Sequence, residues 1–295
     1  MATSIPPRAL VLLAVLSLVW GTNWPLFPIA TREISVWSFR SVSLLAAGSL
    51  LLLIARLRGE SLVIARRHWG AILAATFFYL MIWNLASTYA AIMIPSGQAA
   101  ILGFTMPLWS ALISWAVLRE RMDARLLLAL ALGACGVALL MWRGLSAYAQ
   151  APMGFALGLL AAIGWAIGTL ILKRARVPAS PVVLTGWQLV VASLPLSAGA
   201  MVLGDWQWFM PSWTTILVIA WITVVPMCIG NWAWFSIVGL LPATVAGLSS
   251  ILVPVVAMIS GAVINGEPLG PLQLAAMACC CAALGLTLFR PTRAA

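Results

Sequence analysis

Apolar residues run along this chain in long stretches separated by short polar segments. An α-helix needs about 20 apolar residues to cross roughly 30 Å of hydrocarbon. Ten stretches of about that length predict ten membrane-crossing helices. The first five are Ala9–Ile29, Trp37–Ala55, Trp69–Ala90, Ser96–Leu118 and Leu126–Trp142. The second five are Met153–Leu172, Pro181–Leu203, Trp213–Val238, Ala243–Ile264 and Pro271–Phe289. None alternates apolar and polar positions as a membrane-barrel strand does. The first span reads as a retained helix, because Trp20-Gly21-Thr22-Asn23-Trp24-Pro25 stands where a cleaved leader keeps a plain apolar core.

Composition strengthens this picture. Of 295 residues, 64% are hydrophobic and 7% charged. A soluble domain carries roughly 25% charged residues, so this chain has too few to cover a water-facing surface. The net charge of +10 does not mark a nucleic-acid binder, because the 16 basic residues fall in short clusters between the spans. With the N-terminus in the cytoplasm, thirteen lie in cytoplasmic segments, Arg32 and Arg143 lie opposite, and Arg40 lies inside the second span. Positive charge gathers on the cytoplasmic side, which predicts ten crossings with both termini inside. The expected location is a bacterial cytoplasmic (inner) membrane, with the lipid bilayer as partner. The five cysteines all sit in apolar stretches, His68 is the only histidine, and neither shows metal-ligand spacing. No metal or cofactor is expected.

A shift of 147 positions, without a gap, brings rare residue types into register. Gly21 lands on Gly168, Thr22 on Thr169, Asn84 on Asn231, Pro95 on Pro242, Pro107 on Pro254 and Glu120 on Glu267. Ala and Leu pair by chance in such a composition; Asn, Pro and Glu do not. The chain divides into two five-helix repeats, residues 1–148 and 149–295. Five is odd, so the second repeat enters the membrane upside down. This is the inverted-repeat plan of secondary transporters, whose substrate site lies near the midplane between the halves.

These residues resemble the drug/metabolite transporter superfamily in its ten-helix EamA branch. The resemblance rests on Trp20-Gly21-Thr22-Asn23, on Arg40, and on the proline-centred fourth span running into Arg119-Glu120-Arg121 and a small-residue helix with Gly133 and Gly136. The second half repeats the pattern with Pro254, Gly266-Glu267-Pro268 and the helix around Ala275 and Cys279. Within the branch the chain looks most like the YddG-type amino-acid exporters. The resemblance implies an all-α membrane protein with ten transmembrane helices that exports small metabolites.

Polar and aromatic residues deep in the spans are the candidate substrate contacts: Trp20, Asn23, Tyr79, Trp83, Asn84, Gln98, Trp109, Trp165, Asn231 and Trp232. A buried amide must find a partner, either a neighbouring helix or the substrate. Tyr79 and Trp83 are four apart and share a helix face. Pro107 and Pro254, near the middle of their spans, each leave a carbonyl unpaired four residues back, at Gly103 and Ser250. They are candidate hinges, as bends or as gates. Glu120 and Glu267 fall at span ends, where a carboxylate suits a helix N-terminus. Arg40 is open to three readings: snorkelling, pairing with Glu33, or holding a substrate carboxylate. Gly154, Gly158, Gly164 and Gly168 permit close helix approach, compatible with a monomer or a weak homodimer.

The leading function class is a carrier of small neutral or zwitterionic metabolites, above all hydrophobic or aromatic amino acids, moving outward. The alternative is a multidrug or other metabolite exporter of the same superfamily. Proton-driven cation export commonly uses a membrane-embedded carboxylate, and no Asp or Glu lies deep in any span. Phosphorylated solutes call for several basic groups in the cavity; the spans hold Arg40 alone. No acid pair, metal cluster or nucleophile–base set can be assembled, so an enzyme is not expected.

Overall fold

A computed structural model of the chain describes residues 7–118, 124, 127–136, 138–139, 151–203, 211–230, 233 and 248–288. Every regular element among them is helical. Helix α1 (Pro7–Gly21) leads through a turn to the short α2 (Leu26–Ala30) and then α3 (Val36–Leu57). A 3-10 turn at Arg66–His68 opens α4 (Trp69–Thr76), a π-helical segment at Phe77–Ile82 widens it, and α5 (Trp83–Met93) completes the rod. Next come α6 (Ser96–Gly103), α7 (Met106–Leu118) and α8 (Leu127–Gly136). Then α9 (Pro152–Ala175), α10 (Pro181–Leu203) and α11 (Trp213–Ile222), which passes into a second π segment at Thr223–Gly230. Helices α12 (Leu248–Asn265) and α13 (Pro271–Leu288) follow.

Among the described residues, six helical stretches are long and apolar enough to cross a membrane: Val36–Leu57, Arg66–Met93, Ser96–Val117, Pro152–Leu172, Pro181–Leu203 and Trp213–Gly230. Four shorter apolar helices, Val11–Gly21, Leu127–Gly136, Val253–Asn265 and Pro271–Ala283, fall within one residue of the other spans read from the sequence. Their outer faces are apolar to a degree water does not tolerate: Val202 and Val263 are each 80% exposed, Leu217 64% and Leu194 63%. So much exposed aliphatic surface marks contact with lipid.

Local chemistry sets the helix ends. Ser35 opens α3 by accepting the Ser38 amide at 3.1 Å, and Ser212 opens α11 by accepting that of Thr215 at 3.4 Å. These are N-cap bonds to otherwise orphaned donors. Pro152 sits in the first turn of α9, where its missing N–H costs nothing. Two predicted spans are less continuous than their hydrophobicity implied. The first breaks at Thr22–Pro25, where Pro25 forbids a continuing helix bond and starts α2. The fourth breaks at Phe104–Thr105, so Pro107 stands in the opening turn of α7 rather than bending one long helix. Pro254, its counterpart, lies inside an unbroken α12.

The core is built from close helix pairs. α3 and α10 pack along their length, with Gly48 facing the Gly186 carbonyl. α9 lies against α4, the first π segment and α5. It can do so because Gly164 faces the Phe78 carbonyl, where an added Cβ would sit 2.8 Å away. The 147-residue offset reappears in the element bounds: the first π segment, moved by that offset, falls at 224–229, inside the second.

Candidate functional site

The central cavity, of about 90 Å³, lies where both π segments meet α1, α5, α9 and α10. A buried water needs roughly 10–15 Å³ measured in this way, so the space holds several waters or one small solute in their place. Tyr79 lies midway along the Arg66–Met93 rod and Trp165 past the middle of Pro152–Leu172, so the cavity is near mid-membrane.

Its walls are mainly aromatic. Trp165 packs on Tyr79 at 4.2 Å between ring centroids and on Trp83 at 4.7 Å. Trp83 meets Trp24 edge-on at 6.0 Å, and Trp24 continues to Phe104 at 6.3 Å and to Phe27 at 5.7 Å. The edge-on contacts of Trp83 fall within the favourable spacing for such rings, and the Tyr79–Trp165 pair is slightly closer.

The polar positions follow from the π segments. A π turn admits one extra residue and disturbs the regular backbone bonding. Asn84 answers it in the first segment: its Nδ2 donates to the Leu80 carbonyl at 2.8 Å. Trp20 answers it in the second, donating from Nε1 to the Pro226 carbonyl at 3.2 Å. Asn23 and Ser87 also line the cavity, and Asn23 Oδ1 and Ser87 Oγ are buried with no hydrogen-bond partner.

Arg40 is the one buried charged side chain among the described residues, at 2% exposure. It borders the cavity. Its Nε donates to Thr88 Oγ1 at 2.6 Å, and its guanidinium lies 4.2 Å from the Phe27 ring centroid and 4.6 Å from that of Phe39. Neither snorkelling nor a Glu33 pair describes it. Glu33 instead accepts from the Ser212 amide at 2.7 Å. Hydrogen bonds from Thr215 and Ser212 hold that exposed carboxylate below its usual range.

The structure thus gathers Trp20, Asn23, Tyr79, Trp83, Asn84 and Trp165 around one cavity. Gln98 on α6 and Trp109 on α7 are not in its lining; Trp109 donates to Thr105 Oγ1 at 3.2 Å. Asn231, Trp232 and Glu120 lie outside the described residues. Sequence reasoning passed over Trp24, Phe27, Ser87, Phe104, Thr185 and Met227, all in the lining. Only the Trp20–Pro25 motif hinted at one of them. Glu267 is a helix cap across the chain: Oε1 accepts from the Ser96 amide at 2.9 Å and its hydroxyl at 2.6 Å, and Oε2 from the Gly97 amide at 3.2 Å.

Lipid-facing helices around a mid-membrane cavity define a multi-pass membrane transporter. The chain belongs to the EamA-like transporter family, whose profile matches residues 7–142 and 152–289. It is similar to YvbV of Bacillus subtilis (strain 168), described as an uncharacterized transporter, at 26% identity over 269 residues, 89% of this chain and 85% of that one. It is 28% identical over 203 residues to a Salmonella typhimurium (strain LT2) protein called a "probable amino-acid metabolite efflux pump", covering 66% of this chain and 68% of the other. YedA of Escherichia coli (strain K12), called an uncharacterized inner membrane transporter, is 24% identical over 267 residues, 90% of this chain and 85% of its own. A crystal structure 18% identical in sequence superposes with a TM-score of 0.66 over 94% of this chain and 95% of that one, a likeness of fold alone.

Proposed function

We propose that this protein is a secondary transporter of the bacterial inner membrane that exports small neutral or zwitterionic metabolites, hydrophobic or aromatic amino acids above all. The observation that carries this reading is the ring-walled cavity near mid-membrane, lined from residues before and after position 148 and by no acid among the described residues. Aromatic walls suit an apolar or aromatic side chain. The lack of an acid argues against cation–proton exchange, the chemistry of a multidrug exporter.

Ten helices in two inverted halves, 1–148 and 149–295, with both termini cytoplasmic, form the framework of the proposal. The ungapped offset, the two family matches and the paired π segments support it. In that orientation Ser96 and Glu267 lie at the outer end, and their bonds close that end between the halves. Rocking of one half on the other exposes the cavity to each side in turn. The test is counterflow into proteoliposomes preloaded with single amino acids, nucleosides, organic cations or phosphate esters. Labelled phenylalanine or leucine accumulates only against its own class. Counterflow confined to organic cations or phosphate esters would sink the proposal.

A further inference from the structure

We infer that Arg40 reads the carboxylate of the transported solute, with Asn23 and Ser87 taking its ammonium group. This rests on the proposed amino-acid transport and adds what the cavity recognises on such a solute.

A cation buried this completely costs several kcal/mol unless something offsets it. Among the described residues no carboxylate lies within ion-pair reach of Arg40; its contacts are the Thr88 hydroxyl and two rings. Those contacts fix its orientation. The Thr88 hydroxyl that accepts from Nε donates in turn to the Asn84 carbonyl at 2.6 Å, and Phe27 and Phe39 lie against the guanidinium. One of five N–H donors is thereby used. The other four, on the two Nη atoms, meet no described protein acceptor, and the side chain borders the cavity. A carboxylate matches such a fork with two parallel bonds. The site is a positioned cation waiting for an anion.

The other end of a zwitterion also finds its complement. Asn23 Oδ1 and Ser87 Oγ are buried, unpartnered and on the same cavity. Both accept hydrogen bonds from an ammonium group, and the neighbouring indoles attract a cation to their faces. A zwitterion delivers its carboxylate to Arg40 without adding net charge. An organic cation would bring a second positive charge beside an unpaired one in a medium of low dielectric, which is repulsive. Cationic solutes without a carboxylate are therefore disfavoured.

The test uses the unmodified protein in proteoliposomes, with labelled L-phenylalanine as probe and 3-phenylpropionate, L-phenylalaninamide and phenethylamine as competitors. Losing a charge-assisted bidentate contact costs at least about tenfold in affinity. The amide and the amine should compete at least about tenfold more weakly than unlabelled phenylalanine, while phenylpropionate remains a competitor. Asn23→Ala should weaken phenylalanine relative to phenylpropionate, which has no ammonium, and Arg40→Lys should keep more binding than Arg40→Gln. If the amide or the amine competes as well as phenylalanine, the carboxylate reading is overturned while amino-acid transport stands. If neither labelled phenylalanine nor labelled leucine enters, both readings fall.

Discussion

Single residues in this chain carry roles that depend on being the wrong type for lipid. Trp20, Asn23, Tyr79, Trp83, Asn84 and Trp165 stood out in the sequence because amides and large rings are conspicuous in runs of Leu, Ala and Val, and they line one cavity. Gln98 and Trp109 stood out equally and are not in its lining, while Phe27, Phe104 and Met227 blended into the apolar background. The physical reason is that a helix apolar all round has no polar face to set its phase, so depth is legible and direction is not. Glu267 was legible for another reason: a carboxylate at a span end has few uses besides a helix N-terminus. It accepts two backbone amides and one hydroxyl at the start of α6. Glu267→Gln keeps the shape and loses the charge, and should cost about 1–2 kcal/mol of stability. Thermal unfolding in detergent should show a lower midpoint, with phenylalanine binding per folded molecule near normal and counterflow altered only as far as these bonds hold the outer end closed. An unchanged midpoint with abolished transport would instead make Glu267 part of the transport chemistry.

At the scale of elements, the two prolines predicted as matched hinges are not in matched settings. Pro254 sits inside α12 and withholds a hydrogen bond from the Ser250 carbonyl. Pro107 stands in the first turn of α7, after a break at Phe104–Thr105, where an N–H has no helical partner. Substitution by alanine should therefore act unequally. Pro254→Ala restores a backbone bond and stiffens its helix, so exchange should slow several-fold with binding little changed. Pro107→Ala restores nothing and should leave exchange within about twofold of the parent. Paired single-turnover flux and equilibrium binding measure this; equal slowing in both variants would show that the break does not separate their roles. The sequence could not reveal the break, because hydropathy counts apolar residues without regard to how their backbone bonds are made. The first π segment was hidden for the same reason, since Phe77–Ile82 contains no proline or glycine to betray a wide turn, whereas the second carries Pro226.

For the molecule as a whole, hydropathy and the scarcity of charge made the membrane class readable before any coordinates, and the two family matches at 7–142 and 152–289 are what the 147-residue offset leads one to expect. The cavity was not readable in the same way, because it is assembled from α1, α3, α5, α9 and α10, whose mutual packing no local pattern records. Under the proposed plan each half is a folding unit that needs the other to enclose the cavity. Residues 1–148 and 149–295 expressed together as separate chains should restore counterflow, and neither alone should. Activity from one segment alone would mean that it closes on a second copy of itself. The paired π segments also bear on ancestry. A π turn holds one residue more than the α-helical turn it interrupts. Had that residue entered one half after the doubling, the offset would change by one across it. Yet the spacing is the same before the turn, at Gly21 and Gly168, and after it, at Pro107 and Pro254. Under the proposed plan, one insertion before the doubling leaves this equal spacing, and the wide turn then belonged to a single five-helix ancestor before there were two halves to work against each other.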